Sequence, residues 1–382
     1  MKQAISAARV SNFVESIFAE DVHAKRVASI ADATIGVLAA GSLSVHAIGR
    51  GLAGAEGLNS KHAIKQVDRM VGNEGVDVET LLGLWVPDVI GARKEVVVAL
   101  DWTDFDRDNQ STIAAYLVTS HGRATPLMWK TVVKSALRGW RNAHEDDLLA
   151  RLRQAVPVDV KVTVLADRGF GDQKLYELLT RLGFDYVVRF RSCIKVTDQD
   201  GECRTAGARV PTNGRSLLLR GAKVTGKRYQ VGAVVCVKAK GMKEPWCLAA
   251  SSEHVSSEDL VVLYGRRFTI EEAFRDAKDI RFGMGLASAR VSTPERRDRL
   301  LFVSALATVL LTLLGAAGES LGMERMLKSN TAKRRVYSLF SQGRHYYDAI
   351  PNMPEERLRP LVERFVELVQ QRPFFREVFG PI

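Results

Sequence analysis

The sequence holds very little cysteine, four residues in 382. Cys193, Cys203, Cys236 and Cys247 crowd into one stretch, and no two are spaced as Cys-x-x-Cys. That spacing argues against a structural zinc site and fits apolar strand cysteines in a reducing compartment. A secretory leader is also lacking, because Met1–Val10 is polar and mixed, with no apolar run before a small-residue cleavage site. The expectation is a cytoplasmic protein. There is no internal repeat and no low-complexity segment. Long uncharged runs are scarce too. Leu300–Ala317 (LLFVSALATVLLTLLGAA) is the one that nears the ~20 residues a membrane span needs. Ser304, Thr308 and Thr312 interrupt it at helical spacing, and Arg297, Arg299 and Glu319 stand close by. A buried helix is the expected outcome, with no membrane partner.

What the chain does have is positive charge. Lys and Arg outnumber Asp and Glu by 55 to 44, a formal net charge of +11. Such an excess favours a polyanionic partner, nucleic acid or an anionic membrane surface. The length allows a large core and two or three domains.

The first ~90 residues read as helical. Lys25–Ala40 repeats its apolar residues near a 3.6 period, Gly41-Ser42 interrupts, and Leu43–Leu52 resumes, as in a helix-turn-helix. Ser60–Val71 carries Lys61, Lys65 and Arg69 at i, i+4 and i+8, a basic stripe that can follow phosphates or face solvent in a bundle. The texture then changes. Lys94–Trp102, Ser111–Ser120 and Thr125–Val133 read as strands, and Asn142–Val156 as a helix. Val158–Ala166 is a strand, Asp172–Leu182 a helix and Tyr186–Arg191 a strand. From Cys193 to Ser251 helical periodicity is lost, and Ser216–Arg220, Tyr229–Lys238 and Trp246–Ser251 read as strands of a small β insertion. Glu258–Lys278 is expected as one helix, followed by the apolar helix and a helical tail over 319–382 with a basic cluster at Lys328, Lys333, Arg334 and Arg335.

Two acids close apolar strands, Asp101 after VVVAL and Asp167 after KVTVLA. Phosphodiester chemistry is commonly run by two divalent metals about 3.5–4 Å apart, and hard cations take carboxylate oxygens. A strand end fixes a carboxylate, so the pair forms a candidate metal site; capping of the following turn is the simpler role for either alone. Asp104 and Asp106 lie beyond the first strand as alternative acids, and Asp172 is placed to cap a helix. A third acid must come from a later helix. In YGRRFTIEEAFRDAKD, an unbroken helix would set Tyr264, Arg267, Glu271 and Lys278 within about a 60° arc of one face. A carboxylate between cations and a phenol suits a metal-bound phosphate. An exposed helix with i, i+4 ion pairs is the other reading of the same face.

The set Asp101, Asp167 and Glu271, with Tyr264-x-x-Arg267-x-x-x-Glu271-x-x-x-x-x-x-Lys278, resembles the bacterial insertion-sequence DDE transposases. The resemblance is to the branch with a Tyr-Arg-Glu-Lys signature, the insertion sequence four group. Asp167-Arg168-Gly169-Phe170 is similar to that group's second-acid motif, and the likeness runs roughly from Val96 to Gly315. The order of elements is likewise that of a ribonuclease H-like domain. The resemblance implies an α/β fold with a ribonuclease H-like mixed sheet and a β insertion before the last catalytic helix, flanked by helical N- and C-terminal regions. Its divisions would fall at 1–90, 91–192, 193–253, 254–318 and 319–382. It also implies two Mg²⁺ or Mn²⁺ ions, and a homodimer that brings two element ends together in the bacterial nucleoid. The DNA would comprise terminal inverted repeats and a target. By position, Arg267, Lys278 and Arg168 would contact DNA, with Tyr264 in support, and Trp246 would stack on a flipped base.

Two other readings stay open at this stage. One is a nuclease or resolvase of the same fold without strand transfer, and the other a DNA-binding regulator that has lost catalysis.

Overall fold

The computed structural model describes residues 6–370. Five helices come first: α1 (Ala7–Phe18), α2 (Ala24–Ala40), α3 (Val45–Glu56), α4 (Ser60–Gly72) and α5 (Val78–Ile90). Gly41 ends α2 in the left-handed conformation that lacks a steric cost only for glycine, and its N–H caps the Val37 carbonyl. Asn59 starts α4 by accepting the Lys61 and His62 N–H groups. The axes of α2 and α3 turn through 93°, and the two helices approach at glycines. A Cβ on Gly36 would lie 2.5 Å from the Ile48 carbonyl oxygen.

The sheet follows. Strands β1 (Glu95–Phe105), β2 (Gln110–Leu117) and β3 (Thr125–Val133) form an antiparallel meander. Helix α6 (Arg141–Ala155), β4 (Lys161–Ala166), α7 (Gln173–Arg181) and β5 (Asp185–Phe190) come next. β4 pairs parallel with β1, and β5 parallel with β4. This half of the sheet therefore runs β3-β2-β1-β4-β5. β2 is buried on every residue, as expected for a strand covered on both faces.

The stretch after β5, expected as a small β insertion, contributes strands to the main sheet as well as to a small one of its own. It holds β6 (Lys195–Thr197), β7 (Cys203–Thr205), β8 (Ser216–Arg220), β9 (Lys223–Val224), β10 (Tyr229–Gln230), β11 (Ala233–Val237) and β12 (Trp246–Ala250). β12 pairs with β5, and β11 and β8 follow, so the main sheet is mixed and eight-stranded, ending β5-β12-β11-β8. Only β10-β9-β6-β7 make a second, small sheet. The reason lies in β11: all five of its residues (AVVCV) are buried, and such a strand needs partners on both edges and cover on its faces. The expected strand Tyr229–Lys238 breaks into β10 and β11 at Val231-Gly232. There the Ser251 carbonyl oxygen would stand 2.1 Å from a Cβ on Gly232.

Helices close the fold: α8 (Ser257–Gly265), α9 (Thr269–Lys278), α10 (Pro294–Ser320), α11 (Leu339–Ala349) and α12 (Glu355–Gln370). The apolar run Leu300–Ala317 is the centre of α10, which is buried against α2, α11, α12 and β3. Among the described residues it is the single unbroken helix long and apolar enough to cross a membrane, and it is used as a core helix. It meets α11 backbone to backbone, since a Cβ on Gly343 would lie 1.7 Å from the Leu311 carbonyl oxygen. In the tail, the Lys328–Arg335 cluster lies on irregular chain, and Arg335 pairs with Glu319. The last part of the expected helical tail, 371–382, falls outside the described residues.

Candidate active site

The register of β1 and β4 sets the geometry. Their last pair is Leu100 with Ala166, so Asp101 and Asp167 are the next residues on neighbouring parallel strands. Asp101 does not end its strand, contrary to the sequence expectation. β1 runs on to Phe105 because β2 continues to pair with it, Asp101 opposite Ala114. On the other side its pairing with β4 stops at Leu100 and Ala166, so the two strands part just where the acids stand. Asp101 Oδ1 accepts the Trp102 N–H at 2.8 Å. Asp167 begins a tight turn, and its Oδ1 accepts the Gly169 N–H at 2.7 Å. Burial, together with the charges of Asp167 and Glu271, pushes the Asp101 carboxyl up to about 6 against the pull of Arg267.

The helix expected over Glu258–Lys278 is two helices. A 3₁₀ turn at Arg266–Phe268 separates α8 from α9, and so Tyr264 lies on α8, Arg267 on the turn, and Glu271 and Lys278 on α9. Each has a specific partner. Arg267, almost fully buried, bridges Asp101 Oδ2 at 3.1 Å and Glu271 Oε1 at 2.5 Å. Lys278 Nζ donates to Thr103 Oγ1 at 2.9 Å and to the Asp104 carbonyl at 2.7 Å, over the Phe105 ring. Burial pulls its ammonium below the usual lysine range. Tyr264 is fully buried and meets Trp246 edge-on at 4.9 Å, with Phe268 beside both. Trp246 is only half-buried and so keeps one accessible side.

Other side chains steady this arrangement without a clear sequence signal. The Trp102 indole N–H donates to Glu145 Oε1 at 2.8 Å, and the Arg141 guanidinium lies 4.9 Å over the same indole. Burial pushes the Glu145 carboxyl up to about 7. The alternative acids are occupied elsewhere: Asp104 and Asp106 both accept from Lys134, and Asp172 caps α7 as expected. Arg168 turns away from the two aspartates to pair with Glu244 at 2.8 Å, which Arg189 also holds. Glu272 pairs with Arg275 on the surface.

The basic stripe of α4 opens on a groove of about 1180 Å³ between α2, α4 and the first turn of α10. Lys65 and Arg69 line it, as do Lys25, Arg26 and Arg296, while Lys61 is not part of the lining. Arg296 crosses from α10 to pair with Asp68 at 2.5 Å. The groove is thus framed by both the N-terminal helices and the helix that runs beneath the sheet. The sequence does not show Arg296 as part of a set with Lys25 and Arg26, since more than two hundred residues separate it from them.

The donor set of Asp101, Asp167 and Glu271 suits a hard divalent cation, being carboxylate oxygen only. Burial disfavours the charged form of Asp101, and the carboxylates of Asp167 and Glu271 add to that, a cost that a bound cation would offset. Among the described residues the three acids do not close into a ready three-ligand shell, and Arg267 stands between two of them. Asp101, Glu271 and Lys278 line one open cleft of about 660 Å³.

Residues 92–310 match the family described as transposase DDE domain, more than half of the chain. The chain belongs to that family. A search of curated proteins gave no match.

Proposed function

We propose that this chain, as a DDE transposase, binds the terminal inverted repeats of an insertion sequence and moves it by metal-dependent strand cleavage and strand transfer. In this reading it falls in the Tyr-Arg-Glu-Lys branch, the insertion sequence four group. The observation that carries it is the Leu100–Ala166 register, which sets Asp101 beside Asp167, together with the Arg267 bridge that ties Asp101 to Glu271. Those three carboxylates would hold two Mg²⁺ or Mn²⁺ ions, which supply an activated oxygen nucleophile and stabilise the leaving oxygen.

The chain's own residues do the rest. Arg267 presents a planar fork between Asp101 and Glu271, suited to a phosphate as well as to its present carboxylate partners. Lys278, anchored on β1, adds a point charge on the same side of the cleft. Tyr264 backs the guanidinium, and the accessible side of Trp246 can take an unpaired base. Arg168 reaches DNA by exchanging Glu244 for a phosphate. The stripe of Lys61, Lys65 and Arg69, with the groove beside it, carries the duplex of the repeat. Residues 1–90 thus serve end binding, and 91–192 with 254–318 serve catalysis. The segment 193–253 flanks the cut end, and two copies would pair two ends.

The test uses a plasmid carrying the DNA that borders the coding sequence. The protein with Mg²⁺ should cut at the border, leave a 3′-hydroxyl and join it to a second DNA. Cutting without any joining of precut ends would sink the transposase reading in favour of a nuclease. No cutting under any divalent ion would sink both.

A further inference from the structure

Directly after Lys278 the chain leaves α9 and holds two large apolar side chains out in solvent. Ile280 is 69% exposed and Phe282 70%; among the described large apolar residues only Val158 is more exposed. Exposed apolar side chains on a floppy loop would mean little. This segment is stiff. The Asp279 carboxylate accepts the N–H groups of Arg281 and Phe282 at 2.7 and 2.8 Å, and its carbonyl accepts those of Gly283 and Gly285. Met284, Leu286 and Ala287 donate back to the carbonyls of Asp276, Ala277 and Lys278. From outside, Arg344 Nη1 donates to the Gly283 carbonyl at 2.8 Å, and the Leu43 N–H to that of Met284 at 2.8 Å. Gly283 is required for this fold-back, since a Cβ there would lie 2.1 Å from the Asp276 carbonyl oxygen.

The place of this crest matters as much as its stiffness. Ile280 lines the cleft that holds Asp101, Glu271 and Lys278. Phe282 lines the neighbouring cleft of about 700 Å³, and Arg275 borders both. The crest therefore stands at the rim of the candidate active site with Lys278, Arg275 and Arg281 around it. Apolar tips rimmed by cations complement a base stack rimmed by phosphates.

We propose that Ile280 and Phe282 form a preformed apolar wedge that enters the base stack of the DNA end beside the phosphate to be cut. The proposal rests on the reading of the chain as a DNA-cutting enzyme and adds a means by which it deforms its substrate. A rigid wedge does not have to be ordered on binding, so the DNA alone bears the cost of unstacking.

The experiment uses the full chain and a duplex copied from the bordering DNA, with 2-aminopurine placed in turn at each step near the cut. In an Asp101→Asn background, which holds the duplex uncut, binding should raise the fluorescence several-fold at one step. The Ile280→Ala/Phe282→Ala variant should bind without that rise, and Phe282→Leu should keep most of it. With the acids intact, the double-alanine variant should cut a paired end about tenfold slower or worse, and a mismatch at the same step should restore the rate to within about threefold, because the unstacking cost is then already met. Absence of any rise with the wedge intact, full-rate cutting by the double variant, or failure of the mismatch to restore it would each overturn the proposal. So would a variant that changes only self-association, which would make the crest a contact between copies. Failure of the underlying reading looks different: the unaltered protein would cut no duplex, matched or mismatched.

Discussion

Two charged clefts of this molecule are built on opposite plans. In the cleft beside β1, charges of both signs interlock: Arg267 is shared by Asp101 and Glu271, and Lys278 is pinned to β1. In the groove between α2 and α4, cations stand in excess, with Asp68 the acid among the lining side chains. The first arrangement depends on position, since each buried charge is compensated by a particular neighbour and the removal of one strands another. The second depends on sum, since its exposed side chains act through a screened field to which each adds a similar share. A cleft of the first kind suits chemistry at one atom. A groove of the second kind suits a long polyanion.

The contrast can be broken at its strongest point first. Asp101→Asn, Asp167→Asn and Glu271→Gln should each reduce border cleavage by roughly a thousandfold or more while duplex binding, read by fluorescence anisotropy, stays unchanged. Near-normal cutting by any one of them would remove that acid from the mechanism. Arg267→Lys comes next. It keeps the charge but loses the fork, and cleavage should fall by about a hundredfold. Full activity would show that charge alone is needed there, and the position-dependent view of the cleft would fail.

Glu145 offers a smaller and purely energetic test. Its folded-state carboxyl is raised by burial from 4.5 to about 7. A raised carboxyl favours folding when protonated, so this contribution is whole below pH 4.5 and is lost as pH climbs through 7. The unaltered protein should therefore lose on the order of 2 kcal/mol of stability between pH 5 and 8 that Glu145→Gln does not lose. Thermal melts of both proteins at the two pH values decide it; parallel pH dependence would mean that the carboxyl titrates normally. The gentlest change is in the groove. Lys65→Ala, Arg69→Ala and Arg296→Ala should each weaken duplex binding by about three- to tenfold and lower the salt-dependence slope by about 1. An unchanged slope for Arg296→Ala would confine the DNA path to the N-terminal helices.

Legibility followed the range of the interaction. The meander, α6, β4, α7 and β5 lie close to the segments that periodicity marks out, because their apolar spacing is local and their ends carry turn residues. Asp101 and Asp167 could be paired from sequence because each follows a β-branched run and the order of elements makes the two strands neighbours. Three things were out of reach. The continuation of β1 beyond Asp101 depends on β2 pairing alongside. The break at Arg266–Phe268 falls where the residues are ordinary helix formers and aromatics, and there Arg267 turns in to reach Asp101. The role of β8, β11 and β12 as an extension of the main sheet depends on pairing with β5, which no run of local apolar residues announces.

By itself the sequence determined most of the elements though not all their ends, the chemical types of the acids and cations, and the surplus of positive charge. Those are properties of residues and of their near neighbours. Tertiary structure alone decided that Arg267 sits between Asp101 and Glu271, that Arg296 closes a groove begun by Lys25 and Lys65, and that Ile280 and Phe282 stand out on a braced turn. The physical reason is the same in each case. Burial and electrostatic pairing act through space between residues far apart in the chain, whereas periodicity and capping act along it.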